Sequence, residues 1–287
     1  MASLLLVFIA LSATFVSSAV VSKDGPARLP SFFNVCHRDS PDIDTCLLTS
    51  LKKIQPYLVK GIPALDLPPI DPFRVEETLL EYHNGQVHTK VGIRDYSFYG
   101  LRDLQFQNVR AYLDDPDDFR LDIDVFIPRI KCDGKYKMQG QFIKSEFGGK
   151  GIFNVSMSKK INELWVVTRP PPLKQKLIQI CAFSGNIKAT WSFTGSQHIV
   201  NGVQYMKIKH LDMEPVVGDM KVYASNLFSG NEALSRTALR LFNQNWRLVY
   251  KELLPYVKRE WDKIMTELAN RVFMKVPYDD IFPLSAS

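Results

Sequence analysis

The pattern of apolar and polar residues changes twice along the chain, and each segment predicts a different kind of structure. Apolar residues at steps of three and four predict a first helix from about Asp42 to Lys60 that ends by Gly61. From Val75 to about Ala224 apolar and polar residues alternate, which predicts β-strands. After Gly230 the helical period returns and continues for about 40 residues. We therefore expect an α+β fold.

Alternation in the middle segment predicts an antiparallel sheet with one covered face and one solvated face. The clearest apolar faces are Leu121, Ile123, Val125 and Ile127; Tyr136, Met138 and Phe142; and Ile187, Ala189, Trp191 and Phe193. Turns are predicted where Gly, Asp, Asn and Pro cluster, at residues 114–117, at Gly148-Gly149 and at residues 170–172.

Two segments lack a regular pattern. Residues 20–34 are expected to form a flexible arm. The stretch from Pro63 to Pro72 contains four prolines. Because proline lacks a backbone N–H and has a fixed φ, we expect this stretch to be a rigid extended connector.

The C-terminal helical pattern is unusually long. Its apolar positions run from Leu234 to Val272, and at about 1.5 Å per residue the helix would be roughly 57 Å long. Pro255 lies within it and is expected to kink the helix or to end one segment. Such a helix needs an equally long partner surface. We therefore predict a long C-terminal helix wrapped by a highly curved antiparallel sheet that encloses a hydrophobic tunnel, in one domain spanning residues 20–287.

Residues 1–19 have the pattern of a secretory signal peptide. Leu4 to Phe15 is mainly apolar, and small residues follow it, with Ser17 and Ala19 suited to a cleavage site. A membrane-spanning helix needs roughly 20 apolar residues, so this segment is too short for a permanent anchor. We therefore expect the protein to be secreted into an extracellular fluid.

Charge and motifs narrow the expected partners. The net charge is +6, but the basic residues form no block and no nucleic-acid-binding motif is present, so nucleic acid is not an expected partner. Transient contact with an anionic membrane stays open, and we expect a monomer. No CxxC motif occurs, so neither a metal ion nor another cofactor is expected.

Four cysteines in an exported chain predict two disulfides, with three alternative pairings. Pairing between sequence neighbours is the simplest arrangement, and it joins Cys36 to Cys46 and Cys132 to Cys181. The two closed loops would contribute about 3 and about 4 kcal/mol to stability. Asn154 begins the single N-glycosylation sequon of the chain.

Catalytic patterns are weak. Ser196 and His198 are close in sequence, but no serine lies in a GxSxG motif. Asp122 and Asp124 share a strand face, where two like charges suit a solvated surface better than an acid–base pair. The glycines at residues 148–151 lack the Lys-Ser/Thr of a phosphate-binding loop. We therefore assign no catalytic residue and prefer a binding protein over an esterase-type enzyme.

Three groups of motifs carry a family resemblance through their order and spacing. They are Cys36, Cys46-Leu47, Gly61-Ile62-Pro63 and Ile70-Asp71-Pro72-Phe73; Ile127-Pro128, Gly134-Lys135-Tyr136, Gly140 and Gly149-Lys150-Gly151; and Asn226-Leu227-Phe228, Gly230-Asn231, Asn243-Gln244-Asn245-Trp246 and Val276-Pro277-Tyr278-Asp279-Asp280-Ile281-Phe282. Over nearly the whole mature length the chain resembles the insect takeout and haemolymph juvenile-hormone-binding protein family.

The resemblance implies a secreted carrier in which a long helix and a curved sheet surround a tunnel for a hydrophobic ligand, such as a terpenoid hormone. It implies that Cys36 and Cys46 form the family's N-terminal disulfide. The pair Cys132 and Cys181 is less characteristic of the family, which leaves the subgroup and the ligand open.

Nine side chains are candidate ligand contacts: Tyr136, Met138, Phe142, Phe153, Trp191, Phe193 and Met206 on the sheet, and Phe242 and Trp246 on the helix. For any one of them core packing is the simpler interpretation, so the argument for a cavity is collective. Tyr136 is the candidate hydroxyl donor. The expected ligand is a terpenoid such as juvenile hormone, or a molecule resembling a fatty acid or an isoprenoid. The alternative function is lipid transfer by a protein that docks on membranes through Lys258, Trp261 and Lys263.

Overall fold

The structure, a computed structural model, describes residues 26–85, 87–142, 145–158 and 187–285. The predicted signal peptide, the predicted turn at residues 170–172 and Cys181 lie outside the described residues. The elements are α1 (Ile43–Lys60), β1 (Phe73–Asn84), β2 (Val87–Tyr99), β3 (Gln105–Tyr112), β4 (Phe119–Ile127), β5 (Ile130–Phe142), β6 (Ser145–Ser158), β7 (Ile187–Val200), β8 (Val203–Val217), β9 (Asp219–Ala224), α2 (Glu232–Gln244), α3 (Trp246–Phe273) and α4 (Tyr278–Ile281).

The described strands form two antiparallel sheets, with the orders β1-β2-β5-β6-β9 and β3-β4-β7-β8. Register shifts with an extra residue on β2, β3 and β8 interrupt the pairing, and such bulges bend a sheet. The helix α3 packs against β8 of one sheet and β1 of the other. The predicted α+β class and the predicted curved antiparallel sheet around a long C-terminal helix are confirmed.

The first helix ends where the sequence predicts. α1 stops at Lys60, and the N–H of Gly61 donates to the carbonyl of Leu58. Gly61 has a φ of +83°, and a Cβ there would contact the carbonyl oxygen of Leu67, so glycine is required at this position. The connector that follows is not fully extended, since Pro63–Leu65 forms one 3₁₀ turn that buries Leu65 completely.

The C-terminal helical region is divided at Asn245 rather than at Pro255, through which α3 continues. The division follows Asn243, whose side chain accepts a hydrogen bond from the N–H of Val222 and donates one to its carbonyl, both at 2.8 Å. Val222 lies on β9, an edge strand. This contact fixes α2 to the sheet edge before the chain continues into α3.

The predicted turn at Gly148-Gly149 is wrong, because both residues lie inside β6. The structure gives another reason for glycine here. A Cβ at Gly149 would collide with the carbonyl oxygens of Asn226 and Leu227. The segment after β9 therefore crosses β6 at backbone distance, and glycine leaves the room for it.

The two strand aspartates are ion-paired, and Asp122 is buried rather than solvated as predicted. The carboxylate of Asp122 accepts hydrogen bonds from Arg120 at 3.0 and 2.8 Å. Burial alone would raise its pKa, but the hydrogen bonds from Arg120 and Ser192 and the charges of Arg120 and Arg110 outweigh burial and lower the pKa. A hydrogen bond from Arg110 is the main cause that lowers the pKa of Asp124. Both groups have structural partners and neither is placed for acid–base chemistry.

The end of the predicted flexible arm, residues 26–34, is packed instead. The N–H of Ala27 donates to the carbonyl of Lys275 at 3.0 Å. The ring of Phe32 stacks on Tyr57 with centroids 3.9 Å apart. Apolar side chains in this arm find partners on the folded body, so their burial offsets the entropy of ordering the chain.

Candidate ligand-binding cavity

An apolar cavity of about 320 Å³ lies between α1, α3 and the inner face of the four-stranded sheet. Its volume is within the range of small-ligand sites in proteins. The strands contribute Phe106, Val109, Leu121, Ile123, Trp191 and Phe193; α1 contributes Leu47, Leu51, Ile54 and Leu58; and α3 contributes Trp261, Met265, Leu268, Ala269, Val272 and Phe273. These residues are the apolar stripes that the sequence pattern places on each element.

The two chain ends complete the wall. Leu29 and Phe33 of the N-terminal arm line the cavity, as do Ile281 and Phe282 near the C-terminus. The neighbouring Tyr278 is fully buried, and its hydroxyl donates to the carbonyl of Leu113 at 3.3 Å. Burial raises the pKa of Tyr278 to about 12, so this hydroxyl stays protonated at neutral pH.

Three polar side chains reach the cavity, and two of them have their donors bound by the protein. Ser50 donates its hydroxyl to the carbonyl of Asn34 at 2.9 Å. The amide nitrogen of Gln55 donates to the carbonyls of Leu104 at 2.5 Å and Arg102 at 3.1 Å. The third, Asn34, donates one N–H of its side-chain amide to a disulfide sulfur of Cys46 at 3.6 Å.

The lining has no charge. Among the described residues that form the cavity wall, none has a side chain that ionises between acidic and alkaline pH. General acid–base or nucleophilic catalysis needs such a side chain within hydrogen-bonding reach of the substrate. The arrangement therefore suits retention of an uncharged hydrocarbon chain.

The structure brings two of the nine candidate contacts, Trp191 and Phe193, into the cavity wall. Met206 is fully buried in the core cluster that surrounds the cavity. The hydroxyl of Tyr136 donates to the carbonyl of Ser225 at 2.8 Å, and burial raises its pKa. The hydroxyl of Tyr136 therefore forms its hydrogen bond within the protein.

The other candidates lie elsewhere. Met138 borders an open groove beside β5 and β6. Trp246 is buried and packs edge-on against Tyr250, with ring centroids 6.2 Å apart. Phe153 and Phe242 are half-buried, and the side chain of Phe142 is outside the described set. Their role in ligand binding stays a prediction.

Sequence reasoning missed the contribution of α1 and the arm. Leu47, Leu51, Ile54 and Leu58 were recognised only as the stripe of an amphipathic helix, because periodicity shows that a face is covered and not what covers it. The presence of Phe33 beside Cys36 was the available signal, since the disulfide places the arm against α1.

The turn that was predicted to meet a membrane has other partners. The ring of Trp261 lies edge-on to Phe73 and Phe98, with centroids 6.0 and 5.2 Å apart. Lys258 pairs with Asp212 at 2.6 Å and with Glu214 at 3.1 Å. The tryptophan thus packs on β1 and β2 of the five-stranded sheet, and membrane docking through this turn stays a prediction.

The disulfide between Cys36 and Cys46 is formed, as both the pairing argument and the resemblance predict. Cys132 carries a free thiol, and its predicted partner is outside the described residues, so the second disulfide stays a prediction. Asn154 lies in β6 opposite Asp133 and Tyr223. Since Tyr223 is 55% exposed and directly opposed residues share a face, Asn154 is on the outer side of the sheet. Its glycosylation stays a prediction.

Two further findings concern the described part of the chain. It contains no helix with the length and hydropathy needed to cross a bilayer. It also contains no cluster of three or more His, Cys, Asp or Glu side chains arranged to hold a metal ion.

A family model and several known proteins are similar to this chain. The family model of haemolymph juvenile hormone binding protein matches residues 6–165 and 182–283. The circadian clock-controlled protein daywake of Drosophila melanogaster is 19% identical over 285 residues, covering 98% of this chain and 97% of that protein. Daywake of Drosophila yakuba is also 19% identical, over 83% of this chain and 84% of its own.

A solved structure shows the same architecture. The crystal structure of Epiphyas postvittana Takeout 1 superposes with a TM-score of 0.63 at 18% identity, covering 88% of this chain and all of that chain. At this identity the likeness concerns the fold. The family model, by contrast, extends over most of the sequence. The chain therefore belongs to the haemolymph juvenile hormone binding protein family, whose members bind hydrophobic ligands.

Proposed function

We propose that this protein is a secreted carrier that binds and solubilises a small hydrophobic molecule in the cavity between α1, α3 and the four-stranded sheet. The observation that carries the proposal is the apolar, uncharged lining of that cavity. Protein interiors are normally close-packed, and an unfilled apolar space leaves its lining atoms without contacts. A ligand would supply those contacts. The apolar segment from Leu4 to Phe15 supports secretion.

The energetics of burial allow useful affinity. A ligand with about fifteen carbon groups would gain about 12 kcal/mol, at about 0.8 kcal/mol for each methylene-sized group. Lost translational and rotational freedom costs at least about 4 kcal/mol. The difference, about 8 kcal/mol, corresponds to a dissociation constant of about 1 μM. Affinity above this level would need a matched polar contact.

The chemistry of the lining favours a neutral ligand. The family description names juvenile hormone, which points to terpenoids and related isoprenoid molecules. An ionised fatty acid inside the cavity would lose its hydration without gaining a cation, because the wall has none. We therefore propose a neutral terpenoid or isoprenoid compound in preference to a carboxylate.

A cavity-filling substitution tests the proposal. Ala269 lies in the cavity wall on α3, so Ala269→Phe places a ring in the ligand space. We expect the affinity for the fluorescent probe N-phenyl-1-naphthylamine to fall at least tenfold, with thermal stability retained. Ala233→Phe is the matched control, because Ala233 is exposed on α2 and should bind the probe as the unaltered protein does. Equal affinity of both variants would refute the cavity as the binding site.

The natural ligand can be identified directly. The protein secreted from insect cells would be analysed by native mass spectrometry and then extracted with organic solvent. We expect a neutral molecule of terpenoid size to be released, and the N-terminus of the secreted chain to be Val20. Esterase assays on the same material would reveal any turnover, which the carrier proposal does not predict.

A further inference from the structure

Three leucines on the C-terminal helices are exposed in a row. Leu234 and Leu241 on α2 are 46% and 55% exposed, and Leu248 in the first turn of α3 is 65% exposed. Leu234 and Leu241 are seven residues apart, which places them on one face of α2, and Leu248 continues the exposed row beyond the division at Asn245. The covered side of these helices is formed by other residues, among them Ser235 and Trp246. The leucine row is therefore outside both hydrophobic core clusters of the described residues.

Cationic side chains accompany the leucine row. Between Glu232 and Glu252 the chain contains Arg236, Arg240, Arg247 and Lys251 and no acidic residue. All four are exposed. Arg236 pairs with Glu232, whereas Arg240 and Lys251 have no carboxylate partner among the described residues. Residues 233–251, a stretch of nineteen, thus combine exposed leucines with four cationic side chains. Among these four, only Arg236 pairs with a carboxylate within the described residues.

The groove next to this stretch is also lined by apolar and basic side chains, with Glu146 as the one acidic residue among the described lining residues. Leu234 borders it, together with Phe147, Phe228 and the lysines at positions 90, 137 and 150. Lys137 and Lys150 face one another directly across β5 and β6. Like charges in directly opposed positions destabilise a sheet. An anionic partner would offset that repulsion.

We propose that α2 and the start of α3 dock on the surface of an anionic lipid bilayer, with the leucine row inserted between the headgroups. Exposed leucines flanked by Lys and Arg are the composition of helices that lie in a membrane interface. Each cation near an anionic surface strengthens binding about fivefold. This surface is separate from the cavity, and docking does not require the cavity to be loaded.

A second copy of this chain fits the surface poorly. A two-fold contact through the leucine row would place the same patch on both copies. The arginines of one copy would then face those of the other, and like charges brought together at an interface oppose association. The charge pattern therefore selects an anionic partner over self-association.

Sedimentation with vesicles tests the proposal. We expect the full protein to pellet at low salt with vesicles of phosphatidylcholine containing about 30% phosphatidylserine, and to stay in solution with pure phosphatidylcholine or at high salt. Leu241→Glu should reduce the partition coefficient at least tenfold. Arg240→Gln combined with Lys251→Gln should reduce it about 25-fold, at about fivefold for each charge.

The matched control is Val216→Glu, which places the same charge on an exposed apolar position (68% exposed) of β8, outside the leucine row. It should bind vesicles as the unaltered protein does. Circular dichroism and N-phenyl-1-naphthylamine binding should be unchanged in every variant, which separates this surface from the cavity. The proposal fails if the protein does not pellet with anionic vesicles, if Val216→Glu loses binding equally, or if Leu241→Glu abolishes a dimer and not vesicle binding.

Discussion

The thiol of Cys132 lies within β5, opposite Phe98 on one neighbouring strand and Val155 on the other. Burial, and secondarily the charge of Asp133, raises its pKa to about 12. The reactive form of cysteine is the thiolate. At about pH 8 only about one in ten thousand of these thiols would be ionised, so the folded protein protects Cys132 chemically as well as sterically.

Thiol labelling of the unreduced protein should therefore depend on folding. We expect no reaction of Cys132 with an aromatic disulfide reagent in the native protein at about pH 8, and rapid reaction after denaturation in urea. The raised pKa belongs to the folded state, so unfolding returns the thiol to its ordinary range and restores the thiolate. The number of thiols that react in urea also tests the second predicted disulfide. A bond between Cys132 and Cys181 would leave no thiol to label.

For single residues, the sequence predicted the kind of side chain that lines the cavity better than it predicted which residues lie there. Trp191 and Phe193 were recognised from strand alternation, and they do line the cavity. Tyr136 was chosen by the same rule, yet its hydroxyl bonds to Ser225, a residue 89 positions away. Alternation identifies the covered face of a strand but does not identify which part of that face is left without a packing partner.

Among the elements, two asparagines connect the C-terminal helices to the edges of the two sheets. Asn243 on α2 pairs with the backbone of Val222 on β9. Asn270 on α3 accepts from the N–H of Ile208 on β8 at 2.9 Å and donates to its carbonyl at 2.8 Å. Both strands are edge strands. Each amide therefore supplies one backbone-like pair of hydrogen bonds to an edge that has no further strand.

Replacement of Asn270 should be costly. Asn270→Ala leaves the N–H and the carbonyl of Ile208 without partners next to the core, and Ile208 is only 1% exposed. An unsatisfied buried polar group costs about 1–3 kcal/mol, so we expect the free energy of unfolding to fall by about 3 kcal/mol in urea denaturation. Glu267→Ala, at an exposed position on the same helix, should change it by less than about 0.5 kcal/mol. Equal effects would show that Asn270 is not the anchor.

The first and last residues of helices and strands were predicted well where the nearby sequence determines them. The end of α1 at Lys60 and the limits of the strand region were predicted within a few residues. The division at Asn245 was not, because the apolar period continues across it, whereas in the structure the side-chain amide of Asn245 donates to the carbonyl of Leu241. Gly148 and Gly149 were predicted as a turn because a pair of glycines is a turn signal in sequence, whereas the neighbour that requires glycine at position 149 is the distant segment at Asn226 and Leu227.

On the scale of the whole molecule, the cavity is closed where the two ends of the chain meet. The N-terminal arm reaches the C-terminal segment through the hydrogen bond from Ala27 to Lys275 and through the ion pair between Arg38 and Asp279 at 2.6 Å. The disulfide from Cys36 to Cys46 fixes the same arm to α1. One wall of the ligand space thus depends on contacts between residues at opposite ends of the sequence.

Removal of the disulfide should therefore affect both stability and ligand retention. In the double variant Cys36→Ser and Cys46→Ser, the arm that carries Leu29 and Phe33 is held only by noncovalent contacts. We expect the free energy of unfolding to fall by about 3 kcal/mol, the value for a loop of this length. We also expect N-phenyl-1-naphthylamine to dissociate faster, because opening of the arm exposes the cavity more often. Stopped-flow displacement of the probe measures that rate, and the distant variant Val216→Glu should leave it unchanged. If the double variant released the probe at the unaltered rate while losing stability, the arm would be a structural support and not part of the cavity's closure.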